Sequence, residues 1–358
     1  MSNSVFTFIR ANPFGLNDNG ALSTPTFADI DHDGDQDLFV GVRLIPFNYG
    51  VPCNGYILNN DGHGKFTPLP VPDLEHIGMI TDAAWADIDG DKFEDLIISG
   101  EWMTIIVLKN KKTNFKNITK DLGLNHSNGL WQTVVADDLD HDGDIDILAG
   151  NWGLNTRIKS SQNHPAQLFI NDYDQNGTAE QILTTFNGDK DYPLTLKQDL
   201  VVQMPLLKKK YLKYEDYKNQ TINDVFAPEQ LKNAIHLICN TTATTLFIND
   251  HGKFTPEALP IVSQLSPVFT VLPMDLNHDG LQDLILGGNF SAVKPELGGC
   301  MGNAMTVLIQ TKDHHFKTMN HPGNLGSEIR SIKPIRIKGT DYIMIANNNA
   351  NAQVYAIQ

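Results

Sequence analysis

The stretch Asp29-Ile-Asp31-His-Asp33-Gly34-Asp35-Gln-Asp37-Leu38 places five carboxylates within nine positions, around one glycine. Carboxylates at that density repel one another, and neither a packed core nor an ordinary turn has a use for them. A hard divalent cation relieves the repulsion. Loops that bind calcium offer side-chain oxygens at alternate positions, a glycine at the sharp turn and a carboxylate at the end. Here positions 1, 3, 5 and 9 are Asp29, Asp31, Asp33 and Asp37, and the position 7 carbonyl belongs to Asp35. Gly34 falls at position 6, where the turn calls for positive φ. A solvated acidic turn is the competing reading of a single copy.

The loop recurs. Asp87-Ile-Asp89-Gly-Asp91-Lys-Phe93-Glu-Asp95 keeps the acids at 1, 3, 5 and 9 but moves the glycine from position 6 to 4. Asp138-Leu-Asp140-His-Asp142-Gly143-Asp144-Ile-Asp146 is a full copy. Asp172-Tyr-Asp174-Gln-Asn176-Gly177-Thr178-Ala-Glu180 carries Asn at 5 and Glu at 9, and Asp275-Leu-Asn277-His-Asp279-Gly280-Leu281-Gln-Asp283 carries Asn at 3. Phe93, Thr178 and Leu281 supply position 7 carbonyls, as do Asp35 and Asp144, whose side chains the template does not require. His32, His141 and His278 share position 4, which reads as a solvent-facing variable place. Five copies imply up to five Ca2+ ions. Magnesium fits less well, because it demands tight octahedral geometry and keeps its waters.

Each loop is flanked by short apolar runs, such as Thr133-Val-Val-Ala before and Ile147-Leu-Ala-Gly after. Such runs, bounded by turn signals, read as buried strands, so each loop is the tip of a hairpin. A second strand pair follows in several units, for example Tyr56-Ile-Leu-Asn-Asn and Lys65-Phe-Thr, or Thr245-Leu-Phe-Ile and Lys253-Phe-Thr. Four-stranded units of this kind stack radially as blades, which leaves few open sheet edges. The expected fold is therefore all-β, a β-propeller of four-stranded blades. The five loop hairpins and a sixth without ligands, Ile335 to Ala346, make six blades; a seventh fits if residues 151–260 hold another. The whole chain, 1–358, is expected as one domain, with Val5-Phe-Thr-Phe-Ile9 closing the last blade. Residues 195–236 break the rhythm: Leu200, Val201, Met204, Leu207, Tyr211 and Tyr214 recur at helical spacing, which predicts a helical insertion.

A formal net charge of −15 excludes a nucleic-acid partner, which needs a basic face, and an anionic membrane surface. Five divalent cations would offset ten of those charges. No apolar run approaches the roughly 18 residues of a membrane span. Cys53, Cys239 and Cys300 are too few and too far apart for a disulfide framework. The opening residues lack a charged segment followed by an apolar run, so no signal peptide is visible. Millimolar calcium outside cells would saturate such loops, which points to an extracellular or cell-envelope setting and to a mature segment or fragment.

With these loops the chain resembles the FG-GAP/VCBS repeat family, whose blades carry an Asp-x-Asp-x-Asp-Gly-x-x-Asp-Leu calcium loop. From Val71 onward it also resembles the ASPIC/UnbV (cartilage acidic protein-like) repeat proteins common in Bacteroidetes. Two segments carry that likeness: the one from Leu200-Val-Val-Gln-Met-Pro to Tyr214-Glu-Asp-Tyr217, and Gly150-Asn-Trp-Gly-Leu-Asn155. The resemblance implies calcium-stabilised blades, an extracellular location and a binding or adhesion role. The second loop departs from the pattern in its glycine, and the last hairpin in lacking ligands.

In a propeller the calcium loops occupy one face. The opposite face collects the residues just after each second strand: Arg43, Glu101-Trp102, Asn151-Trp152, Asn289-Phe290 and Asn347. Arg43, Trp102, Asn151, Trp152, Asn289 and Phe290 are the candidate ligand-binding residues, suited to a glycan or a protein; the competing reading makes the aromatics plugs between blades. No Gly-x-Ser-x-Gly, His-Glu-x-x-His or phosphate loop is present. The leading expectation is a non-enzymatic binding or adhesion module. The alternatives are a carbohydrate-active hydrolase or lyase with its site in the channel, and a structural part of a longer secreted protein.

Overall fold

A computed structural model describes residues 20–294, 298–302, 304–313, 315–319 and 327–357. The expected closing strand, Val5 to Ile9, lies outside them. The described chain is all-β, built of six antiparallel sheets with a few short helices. Every acidic loop is the tip of a hairpin. In the first blade it joins Thr26–Ala28 to Asp37–Leu44, and Gly55–Asn60 and Phe66–Leu69 follow outward. The second blade repeats this with Met79–Ala86, Asp95–Met103, Ile106–Asn110 and Phe115–Asn117. Val268–Met274, Asp283–Gly288, Met305–Gln310 and Phe316–Met319 form a later blade. The last has three described strands, Ile329–Ile337, Thr340–Asn347 and Gln353–Ala356.

Five sheets succeed one another as propeller blades. Met79–Ala86 packs on the first blade and on Thr133–Asp137; Thr133–Asp137 packs on Val268–Met274, and that strand on Ile329–Ile337. The apolar clusters lie between blades. Phe39 and Ile57 of the first meet Ile80, Leu96 and Leu108 of the second. Ile97 and Val107 of the second meet Val134, Ile147 and Phe247 of the third. Position 2 of the loops joins these seams: Ile30, Ile88 and Leu139 are buried, while the acids beside them are half-buried or exposed. Each such aliphatic side chain, fully buried, contributes about 1.5–3 kcal/mol.

Close approach of successive blades explains the glycine four residues after the start of several second strands. A Cβ on Gly41 would stand 2.3 Å from Ile80 Cγ2, one on Gly150 2.6 Å from the Val268 carbonyl, and one on Gly287 2.4 Å from Ile329 Cγ2. Bulges at Thr81, Phe269 and Arg330 bend three of the first strands just beyond these contacts.

Six blades are expected from the sequence; among the described residues five sheets succeed one another as blades and the sixth sheet is inserted within one of them, so the threading differs. The third blade begins with Thr133–Asp137 and Asp146–Gly150, then takes its outer strands from Thr245–Asn249 and Phe254–Ala258. Residues 151–244 are inserted between its second and third strands. They hold the sixth sheet, in the order Lys190–Pro193, Glu180–Asn187, Ala166–Asn171, Ile235–Cys239. The Asp172 loop therefore belongs to the insertion and does not open a blade between those of Asp138 and Asp275. The physical reason is that Asp146–Gly150 completes its ladder with Thr245–Asn249, leaving the Asp172 hairpin to pair with Lys190–Pro193 and Ile235–Cys239.

The expected helical segment consists of short pieces, Lys197–Gln203, Leu207–Lys210, Ile222–Val225 and Pro228–Lys232. Leu200, Met204, Tyr211 and Phe226 cap the inserted sheet at Phe169, Tyr173 and Ile182, while Val202 and Tyr214 stay exposed. The inserted sheet packs through Leu168, Ile170 and Cys239 on Met79, Trp102 and Leu130 of the second blade. The three cysteines are buried and none is in a disulfide.

Candidate metal loops and ligand cavity

The five loops share one backbone design. The position 1 carboxylate accepts amides from positions 5 and 6. Asp29 takes Asp33 N and Gly34 N, both at 3.1 Å, and Asp172 takes Asn176 N and Gly177 N, both at 2.9 Å. Asp87 and Asp275 do the same, and Asp138 takes the Gly143 amide. Two left-handed residues turn each loop. Position 6 holds Gly34, Lys92, Gly143, Gly177 or Gly280, and position 4 holds His32, Gly90, His141, Gln175 or His278, each with φ between 60° and 97°. Position 4 is thus a strained backbone place as well as a variable one. The displaced glycine of the second loop answers the strain there and leaves Lys92 to adopt positive φ at position 6.

The position 9 acids are buried: Asp37, Asp95, Asp146, Glu180 and Asp283. In the blades their two oxygens take one amide from loop position 2 and one from the end of the third strand. Asp95 accepts Ile88 N at 3.3 Å and Asn110 N at 2.8 Å; Asp146 accepts Leu139 N at 3.1 Å and Asn249 N at 2.8 Å. Burial pushes the carboxyls of Asp95 and Asp146 up to about 6, against the pull of these amides. An amide side chain then staples neighbouring blades at the same level. Asn110 Nδ2 donates to the Ile30 carbonyl at 2.8 Å, and Gln310 Nε2 to that of Leu139 at 2.6 Å.

Four loops bring three acids together, with one oxygen from each lying within 4.8 Å of the others: Asp29, Asp31 and Asp33; Asp87, Asp89 and Asp95; Asp138, Asp140 and Asp146; Asp172, Asp174 and Glu180. These clusters could hold a metal ion. The fit is supported by buried carboxylate oxygens without a hydrogen-bond partner: Asp31 Oδ1 and Asp35 Oδ1 in the first loop, Asp138 Oδ1 in the third and Asp174 Oδ1 in the fourth. Such oxygens are costly unless a cation takes their lone pairs. In the fifth loop Asn277 bridges by donating to Asp279 Oδ2 at 3.0 Å. In the second, Lys109 pairs with Asp89 and, at 3.0 Å, with Asp91 Oδ2. The position 7 side chains are also employed. Asp35 accepts the Gly62 amide and Asp144 Oδ2 the His251 amide at 2.9 Å, tying each loop to the outer turn of its own blade.

Arg43, Trp102, Trp152 and Phe290 line one cavity of about 460 Å³. The propeller supplies one wall and the insertion the other, through Leu183, Leu194, Leu196 and Asp199. Glu101, nearly buried, anchors the polar side: its Oε1 accepts Arg43 Nη2 at 3.2 Å and Gln132 Nε2 at 2.8 Å. Trp102 Nε1 donates to the Tyr49 hydroxyl at 2.9 Å, and the Trp152 ring meets Phe290 edge-on at 6.0 Å. Burial and the Glu101 charge hold the Tyr49 hydroxyl well above its ordinary value, so it stays protonated.

Asn151 and Asn289 do not join this lining. Both are fully buried, with their amides donating to the Thr241 and Ser327 carbonyls. Tyr49 and the insertion residues line the cavity without having been singled out in the sequence, whereas Glu101 was placed on this face but not among the candidate ligand-binding residues. For Tyr49 the one available signal was its place in a Phe-Asn-Tyr-Gly turn. The insertion wall follows only from the threading.

No curated protein matches the chain. Two solved structures are similar over much of it. One is an Agrocybe aegerita lectin recognising non-reducing terminal N-acetylglucosamine, 14% identical, covering 95% of this chain and 81% of that one, with a TM-score of 0.34. The other is the V. cholerae biofilm matrix protein Bap1, 15% identical, covering 87% of this chain and 40% of that one, with a TM-score of 0.33. Residues 87–149, from the second acidic loop through the third, match the FG-GAP-like repeat family.

Proposed function

We propose that this chain is a calcium-stabilised, extracellular binding module that takes a glycan or protein ligand in the cavity between propeller and insertion. The gathering of Arg43, Trp102, Trp152 and Phe290 around that cavity carries the reading. Ligand sites are concave and mostly apolar, with few polar groups to fix orientation. Here aromatic faces offer stacking, while Arg43 and Glu101 offer hydrogen bonds. A volume of about 460 Å³ suits a compact group, such as a terminal sugar, better than a flat protein surface. Calcium, held by the acids at positions 1, 3, 5 and 9 and the carbonyl at 7, would supply charge neutralisation and rigidity at the opposite ends of the blades. The likeness of residues 200–217 and 150–155 to the ASPIC/UnbV-type proteins is part of this reading.

The test is a glycan array probed with the full chain and with Trp152→Ala, each with calcium and with a chelator. Binding lost in Trp152→Ala supports the cavity. Equal binding by both proteins moves the ligand elsewhere, and turnover of a bound polysaccharide overturns the non-enzymatic reading.

A further inference from the structure

We infer that Lys109 is the built-in cation of the second acidic loop, which therefore carries no calcium while the other loops do. The inference rests on the calcium reading of those loops. Two observations separate the second loop from all of them, and a third separates it from the first, third and fourth. First, the Lys109 ammonium lies among its carboxylates, paired with Asp89 at position 3 and Asp91 at position 5. Those are two of the side chains that a metal would need.

Second, the place from which Lys109 reaches is apolar or neutral in the other blades. It is the residue before the third-strand amide that meets the position 9 acid. That amide belongs to Asn60, Asn110, Asn249 and Gln310 in turn. The preceding residues are Asn59, Lys109, Ile248 and Ile309. Only Lys109 can carry charge to the loop.

Third, the buried, unpartnered carboxylate oxygens occur in the first, third and fourth loops and, among the described residues, in neither the second nor the fifth. A lysine is always present, whereas calcium depends on supply. The second loop, whose Ile88 joins the seam between the second and third blades, is thereby neutralised without metal. The second loop otherwise keeps a complete donor set: Asp87, Asp89, Asp91, Asp95 and the Phe93 carbonyl. Removing the lysine should therefore create a site.

Calcium per chain, counted by native mass spectrometry on the full chain, tests this. Lys109→Met gains one ion over the parent protein, and Asp89→Asn leaves the count unchanged, whereas Asp140→Asn in the third loop loses one. No gain in Lys109→Met, or loss of an ion in Asp89→Asn, overturns the inference. A parent protein without any calcium overturns the calcium reading instead, and Asp89→Asn reports independently should Lys109→Met fail to fold.

Discussion

The Asn249 amide donates to Asp146 Oδ1 at 2.8 Å, across 103 positions of sequence. This contact fastens the outer half of the third blade to its inner half after the chain has built a whole inserted sheet. Asp146 is fully buried and holds the Leu139 amide as well. Asp146→Ala leaves two buried donors unpaired, each costing about 1–3 kcal/mol. Asp144 is half-buried and holds one exposed turn amide, that of His251. Asp144→Ala is expected to cost less than half as much. Urea denaturation of the two variants in calcium measures the difference; equal losses would show that the buried contact is not what holds the blade.

If the proposed calcium is bound, its removal should act through the orphaned oxygens of Asp31, Asp35, Asp138 and Asp174. An ion present at a hundred times its dissociation constant stabilises the folded state by about 2.7 kcal/mol. Several such ions lost together should lower the melting temperature by roughly 10 °C or more. Thermal unfolding followed by circular dichroism, with and without chelator, checks this, and an unchanged melt refutes a structural role for metal.

The five acidic loops were legible because their acids recur at one fixed spacing in the sequence, and their hairpins because apolar runs bracket them. The order of blades was less so. Nothing local in Ile147-Leu-Ala tells that strand to wait for Thr245–Asn249; that choice is made by non-local packing of Ile147 against Phe247 and Phe254. The candidate face was legible as a set of positions after second strands. Its division was not: Asn151 and Asn289 turn inward to bond backbone, while the neighbouring Trp152 and Phe290 face the cavity. Lys109 escaped notice because a lysine in a strand carries no signature until the fold places it over Asp89 and Asp91.

Glycine within the second strand is a packing requirement between blades. At Gly41 a methyl group would fall 2.3 Å from Ile80 Cγ2 and 2.7 Å from Ile80 Cβ. Ile80 is fully buried in the cluster shared by the first two blades. Gly41→Ala forces that seam apart and is expected to cost about 1–3 kcal/mol. Ile80→Ala costs more by itself, about 2–5 kcal/mol. Combined with Gly41→Ala, it should cost less than the sum, because the smaller residue admits the new methyl. A double-mutant cycle by chemical denaturation reads this coupling, and strict additivity would place the strain elsewhere.

Two cavity tryptophans separate structure from binding. Trp102 is nearly buried, holds the Tyr49 hydroxyl and packs with Met79, Leu130 and Leu168 where the insertion meets the second blade. Trp102→Ala is expected to cost about 3–5 kcal/mol, as for other large buried aromatics. Trp152 is only half-buried, and its ring meets that of Phe290, so truncation there removes less packing. Trp152→Ala should therefore keep most of the stability and lose ligand affinity, whereas Trp102→Phe, which keeps an aromatic body, should retain affinity with a smaller loss of stability. Thermal unfolding and ligand titration of the three variants together decide the matter. If Trp152→Ala instead melts as early as Trp102→Ala, both rings serve as plugs between structural units and the cavity loses its claim as the ligand site.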